Sequence, residues 1–188
     1  DPQVIAVGSG AELAADVADW QAWLDGATPV VIPPHSHRQV IVDLEAYVCA
    51  YPQLQLSGGR GSQVVVGWAE ALHLDALGER KGQRDEVAGR TFIALCRDVV
   101  LPDGGERRSF EPLWWRAGRY VALLIATADE PLTLERCGFL ETRYPLEMES
   151  RFRSSDPRLD AITPLALRSL QMCAHETYMD CPYYEQMM

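Results

Sequence analysis

The stretch CAHETYMDCPYYEQ, Cys173 to Gln186, holds four ionisable groups, His175, Glu176, Asp180 and Glu185, within eleven residues. Tyr178, Met179, Tyr183, Tyr184 and Met187 surround them, and acids framed by large, mostly apolar side chains have the composition of a site wall. Paired carboxylates beside aromatic rings are the ingredients of glycoside hydrolysis. One protonated acid delivers its proton to the departing glycosidic oxygen, while a second carboxylate serves as base or nucleophile. A general acid working near neutral pH needs a raised pKa, and a neighbouring negative charge supplies one, so Asp180 could act in this way on Glu185. A helix beginning at Pro182 would oppose it, because the positive end of the helix dipole favours the ionised form. The competing reading of the same residues is a solvated charged turn.

These side chains converge only if the backbone brings them together. Glu176 and Asp180 are four apart and share one face if a helix runs through them, whereas Glu185 lies across the Cys181-Pro182 break and needs a turn. Leu159, Ile162, Ala166, Leu170, Cys173 and Thr177 recur at intervals of three and four, which predicts a helix ended by Pro182. Asp156 is its N-cap and Pro157 its first residue, and Pro164 forces a kink or a second start capped by Thr163. Residues 153–188 thus read as the first helical element of a further unit, since one helix cannot bury both of its sides on a neighbouring sheet.

Residues 39–152 carry a different period. QVIVDL, LQL, SQVVVGWAE, RDVVL, RRSFEPLWWRAGRYVALLIAT and PLTLERCGFLETRYPLEM favour strands, with SGGRGS and LPDGGERR as turn signals between them. Strands without intervening helices predict a mainly β fold, an antiparallel, jelly-roll-like β-sandwich. Strand alternation sends Trp114 and Trp115 to opposite faces, the outward one free to stack on a sugar or to pack against a loop. Residues 1–38 form an N-terminal segment with a short amphipathic helix. Ser9 and Glu12 have capping-box spacing, Leu13, Val17, Trp20 and Leu24 make the stripe, and its two tryptophans, Trp20 and Trp23, are expected in the core.

Of 188 residues, 27 are acidic and 17 basic, and the net charge of −10 without a basic cluster argues against nucleic acid or an anionic membrane as partner. No apolar run approaches the roughly 20 residues of a membrane-spanning helix. Five cysteines, odd in number, scattered and without a CxxC pair, predict reduced thiols and fit the cytoplasm better than an oxidising compartment. A chain beginning with Asp1 leaves an upstream leader, and so export, open. His35 and His37 lack a third ligand at suitable spacing, so no metal is assigned to them, and KGQRDE, Lys81 to Glu86, reads as a charged surface loop.

The string HETYMDCPYYEQ, preceded by RSLQMC, resembles the opening of the catalytic (α/α)6 barrel of bacterial α-L-rhamnosidases, in which an Asp-Cys-Pro precedes the catalytic acid. Upstream, IVDLEAYVCAYPQLQLSGGRGSQVVVGWAEAL, KGQRDEVAGR and DGGERRSFEPLWWRAGRYVALLIATADEPLTLE are similar to the β-sandwich that precedes that barrel, so the likeness runs from about Val40 to Met188. The resemblance implies that Glu185 is the general acid and that Asp180 binds rhamnose hydroxyls, with His175 and Glu176 adjoining the site. His175 could orient substrate or Asp180, or be a hydrogen-bonded packing residue. It implies an inverting hydrolase acting on rhamnose-containing glycosides without metal or organic cofactor, whose base belongs to the barrel beyond Met188. The chain alone is then inactive, and contacts the missing barrel. Thr163-Pro164 departs from the pattern, which more usually has a tryptophan-containing helix start. The alternative from a different class is a non-catalytic β-sandwich that binds carbohydrate or packs against another domain.

Overall fold

The computed structural model describes residues 1–8 and 17–187, so the capping box at Ser9 and Glu12, with Leu13, lies outside the described residues. In chain order the elements are β1 (Gln3–Gly8), α1 (Val17–Leu24), β2 (Val30–Ile32), β3 (His37–Gly58), β4 (Gln63–Ala69) and β5 (Cys96–Val100), then β6 (Arg108–Phe110), β7 (Arg116–Ala126), β8 (Leu132–Glu141), α2 (Pro157–Asp160) and α3 (Ile162–Cys173). Every strand pairing is antiparallel. The hydrogen-bonded order is β2-β8-β3-β7-β4-β5, with β1 and β6 also paired to β3. The fold is mainly β and antiparallel, as the strand pattern implied.

QVIVDL and LQL, two strands by pattern, belong to one strand of 22 residues, β3. Its first half pairs with β1 and β7, and its second half, from Ala50, pairs with β8 and β6. A register break between Asp43 and Val48 lies between the halves, with Glu45 in the left-handed region at φ 64°. Bulges bend and twist a strand, and here the bend lets one chain segment serve two layers. Asp43 supports the irregular backbone by accepting the Glu45 N–H at 2.7 Å.

The core lies between the layers. Val40 and Val42 of β3, Val64 and Val66 of β4 and Val121, Leu123 and Ile125 of β7 meet Leu54, Leu56, Leu132 and Leu134, with Ile32 of β2 beside them. In β4 the inward residues fall at every second position, and the buried Trp68 ends the row edge-on to Phe139. Trp20 and Trp23 of α1 are buried in the same core, as their helical stripe implied.

The outer face of β4 and β7 is covered by the segment between β4 and β5. Leu72 and Phe92 pack on Ile41, Ala69, Tyr120 and Ala122, and a β-carbon on Gly67 would stand 2.7 Å from that of Ala94, which is why the strand carries glycine there. KGQRDE lies in this cover and is fastened rather than free. Arg119 donates to both carboxylate oxygens of Asp43, at 2.8 and 2.9 Å, and pairs with Asp85, while Tyr120 Oη donates to the Arg84 carbonyl at 2.5 Å. Hydrogen bonds donated to Asp43, against the cost of desolvation, hold the Arg119 guanidinium above its usual pKa.

Four local expectations are corrected. The long strand expected over RRSFEPLWWRAGRYVALLIAT is interrupted between Phe110 and Arg116, where Pro112 cannot donate to a ladder. Trp114 and Trp115 do not part to opposite faces: outside any strand, their rings stack at 5.8 Å and 23°, one 48% exposed and the other 4%. β8 stops at Glu141, so TRYPLEM, with Pro145, is not strand. Asp156 caps α2 by accepting the Arg158 N–H at 3.0 Å, as expected, but α3 starts at Ile162 after an uncapped Ala161 and not at a Thr163 cap.

The Asp43–Arg119 pair is 13% and 14% exposed at its side chains, so removing one charge leaves the other largely desolvated. Asp43→Asn is expected to lower unfolding stability by about 3 kcal/mol, read as a lower midpoint in urea at unchanged slope.

Candidate functional site

α3 lies where β3 resumes after its bulge. Met172 is buried with Cys49, Trp115 and Ala117, the Cys49 thiol donates to the Met172 carbonyl at 3.5 Å, and Arg168 donates to the Tyr47 carbonyl. On its other side Leu159, Ile162 and Leu170 join Met148 and Phe152 along an open apolar groove. A helix apolar on two sides was the expectation from sequence, and among the described residues only one side is covered.

The helix does not continue to Pro182. It ends at Cys173, and Ala174 is extended, with φ −100° and ψ 119°. Ala174 bridges to Tyr178, Met179 N–H donates to the Cys173 carbonyl at 2.9 Å, and the Ala174 carbonyl accepts the Tyr144 N–H at 2.9 Å. Glu176 and Asp180 therefore share no helix face. The cause is tertiary: His175 stacks on Trp115 at a centroid distance of 4.2 Å and an interplanar angle of 16°, a contact outside the helical stripe.

The four ionisable residues fall into two pairs. Asp180 and Glu185 are brought together. Pro182–Glu185 is a turn closed by Gln186 N–H to the Cys181 carbonyl at 2.9 Å and Asp180 N–H to the Met187 carbonyl at 3.0 Å. Asp180 Oδ1 accepts the N–H groups of Cys181, at 2.7 Å, and Met187, at 3.1 Å, which fixes its orientation. Glu185 is exposed, and its carboxyl is held above the usual glutamate range first by a hydrogen bond with the Asp180 side chain and then by that group's negative charge. No helix begins at Pro182 among the described residues, so the opposing dipole is not in play here.

His175 and Glu176 face elsewhere. They line a cleft of about 530 Å³ together with Trp114, Trp115, Tyr144 and Arg143, and neither Asp180 nor Glu185 is part of its wall. Burial holds the His175 imidazole below its usual pKa, against the pull of a hydrogen bond to the Met172 backbone, so the ring is neutral at pH 7. Gln186 joins the two places. Its Oε1 accepts from Trp114 Nε1 at 2.6 Å, its Nε2 donates to the Pro182 carbonyl at 2.9 Å, and it also lines the cleft.

The turn that carries the acids is anchored by a residue for which sequence reasoning assigned no role of its own. Tyr183, 2% exposed, joins the main core, donates from Oη to the Trp68 carbonyl at 2.6 Å and accepts the Leu95 N–H at 3.3 Å. Burial pushes its phenol up to about 12, so it stays a donor at any working pH. Cys96 donates to the Tyr183 carbonyl at 3.0 Å, and Lys81, ion-paired with Glu70, stands 5.6 Å from the ring centre. The loop read as a surface loop thus reaches the acidic turn. The five cysteines are free thiols, and burial pushes Cys49 and Cys137 up to about 12, which removes them as nucleophiles.

No protein-family model matches the chain, and no curated protein matches it in sequence. Among solved structures, a rhamnosidase from Klebsiella oxytoca with rhamnose bound is similar at TM-score 0.65 and 15% identity, over 98% of this chain and 36% of that one. A GH78 family rhamnosidase of Bacillus sp. GL1 is similar at TM-score 0.58 and 22% identity, over 84% of this chain and 16% of that one. A fucolectin from striped bass, Morone saxatilis, is a looser match, at TM-score 0.38 and 15% identity over 65% of this chain and 39% of that one. The two rhamnosidases show the fold, and the chain spans well under half of either.

Two outcomes are expected of this turn. In an NMR titration the Glu185 carboxyl should show a midpoint above the ordinary glutamate value, returning toward it in Asp180→Ala. Tyr183→Phe should cost about 1–3 kcal/mol of stability, because the Leu95 N–H and the Trp68 carbonyl lose their partner in a buried place, measured as a lower midpoint in chemical denaturation.

Proposed function

We propose that this chain is the β-sandwich, with the first helical element of the adjoining barrel, of an α-L-rhamnosidase-like glycoside hydrolase, and that Glu185 is its general acid. The observation that carries the reading is the carboxyl pair. Glu185 lies beside Asp180, and the hydrogen bond between the two carboxyls and the negative charge of Asp180 both raise the Glu185 pKa, the direction a general acid needs. The fold shared with two rhamnosidases supports it independently. Asp180, oriented by two backbone N–H groups, presents its remaining lone pairs to sugar hydroxyls.

Inversion requires a second carboxylate about 6.5–9.5 Å from the acid, on the far side of the sugar ring, to activate water. We assign that base to a part of the larger protein outside these 188 residues. The reaction asks of this chain only a positioned proton donor and a sugar-binding carboxylate, and it needs no metal or organic cofactor. A second reading, a carbohydrate-binding sandwich without catalysis, is favoured by the aromatic cleft beside the turn.

In the full-length enzyme, Glu185→Gln should lower kcat/KM on alkyl rhamnosides, whose leaving groups need protonation, by about 10²–10⁴-fold. On dinitrophenyl rhamnosides, whose leaving group departs unaided, the loss should be far smaller. Equal losses on both substrates would remove the general-acid assignment. Asp180→Asn should raise the inhibition constant of free rhamnose, and an unchanged constant would remove its binding role.

A further inference from the structure

Among the described residues the exposed Glu185 side chain has one hydrogen-bond partner, the Asp180 carboxyl, which is also the charged group that acts on it. Two carboxyls repel once both are ionised, so neither can hold the other in place. Where Glu185 stands is decided by the backbone that carries it. The next residue closes that backbone. Gln186 has φ 51°, in the left-handed region that a side chain with a β-carbon rarely adopts. The reversal brings Met187 back to Asp180: the Met187 N–H donates to Asp180 Oδ1 at 3.1 Å, and the Met187 carbonyl accepts the Asp180 N–H at 3.0 Å.

A residue other than glycine keeps such a conformation only where its surroundings fix it. Three hydrogen bonds do so here. The Gln186 N–H donates to the Cys181 carbonyl at 2.9 Å, Nε2 donates to the Pro182 carbonyl at 2.9 Å, and Oε1 accepts from Trp114 Nε1 at 2.6 Å. The last two account for the residue type. An indole N–H only donates and a carbonyl only accepts, so the side chain between Trp114 and Pro182 needs an acceptor and a donor at one end. An amide has both. A glutamate would turn a second acceptor on the Pro182 carbonyl, and a lysine would turn a second donor on the indole. Trp114 is itself a fixed point. Although 48% exposed, its ring lies on Trp115 at 5.8 Å and 23°, and Trp115 is 4% exposed and packed with Cys49, Ala117 and Met172.

We infer that Gln186 is a positioning residue for Glu185: strapped to the sandwich through Trp114, it holds the turn in the shape that keeps the Glu185 carboxyl against Asp180. The inference rests on the proposed general acid for its meaning in catalysis, and on the bonds of Gln186 for the positioning itself. A general acid delivers its proton only from a fixed place, so a strap from the sandwich to the residue beside it acts on the proton donor without touching substrate.

The test reads the Glu185 carboxyl by NMR titration in the 188-residue chain, beside the unfolding midpoint in urea. Gln186→Met keeps the length of the side chain and removes both of its bonds, whereas Trp114→Phe keeps an aromatic ring and removes the N–H. Each should shift the Glu185 titration midpoint down, toward that of Asp180→Ala, and the double variant should shift it no further than Gln186→Met does. A Glu185 midpoint unchanged in Gln186→Met would overturn the positioning role, because a merely structural residue lowers stability and leaves that midpoint alone. No shift in Trp114→Phe, or shifts that add in the double variant, would overturn the strap. Trp114→Phe, the milder change, decides the matter if Gln186→Met does not fold. Hydrolysis has no part in the readout, so failure here leaves the general-acid role to the leaving-group test, and failure of that test leaves the strap standing.

Discussion

β3 must satisfy two sets of neighbours, and the rest of the molecule is arranged around how it does so. A strand that continued straight would belong to one layer. The break between Asp43 and Val48 redirects it, and the carboxylate of Asp43 stabilises the break twice, by accepting the Glu45 N–H and by pairing with Arg119. Buried charge is costly unless matched, and the bidentate geometry supplies the match. Beyond the break lies the platform for the C-terminal segment: Tyr47 and Cys49 receive α3, and Ala117 and Trp115 on the facing side receive Met172 and His175.

From that platform the placement of the acids is a matter of anchors rather than of helical phase. α3 ends early, the chain turns over Trp115, and Tyr183 then plunges into the core between Trp68 and Leu95. Two buried aromatic contacts, eight residues apart in the chain, hold the backbone between and beyond them. Asp180 lies between these anchors and Glu185 two residues past the second, so exposed carboxylates are carried on a firmly fixed backbone. That combination suits proton donation. The acid must be solvated enough to exchange its proton and placed well enough to deliver it.

The sequence is informative wherever a property is local. Strand periodicity yields the mainly β, antiparallel class; the stripe holding Trp20 and Trp23 yields their burial; Asp156-Pro157 marks the start of α2. The turn that Glu185 requires is present at Pro182. The failures that bear on the C-terminal turn are non-local. β3 reads as two strands because a bulge stabilised from Arg119 leaves no mark in the intervening DLEAYV. α3 reads as longer than it is because its end is dictated by Trp115, not by the nearest proline. Tyr183 reads as one aromatic among several because its partner carbonyl is 115 residues away, and the contact of Trp114 with Gln186 spans 72. β2 leaves no clear pattern because a strand as short as Val30–Ile32 offers too few residues for a period to show.

Tyr183 also bears on how such a protein could be taken apart or recombined. By element type, the natural seam lies after β8, where strands give way to helices. Physically the seam is crossed by a hydroxyl that completes the backbone bonding of β4 and of the segment leading into β5. A chimera joined at that seam would inherit one half with a hole in its core and the other with a tyrosine seeking a carbonyl. The acidic turn and the strands that support it are therefore one inheritable unit, exchanged together or not at all.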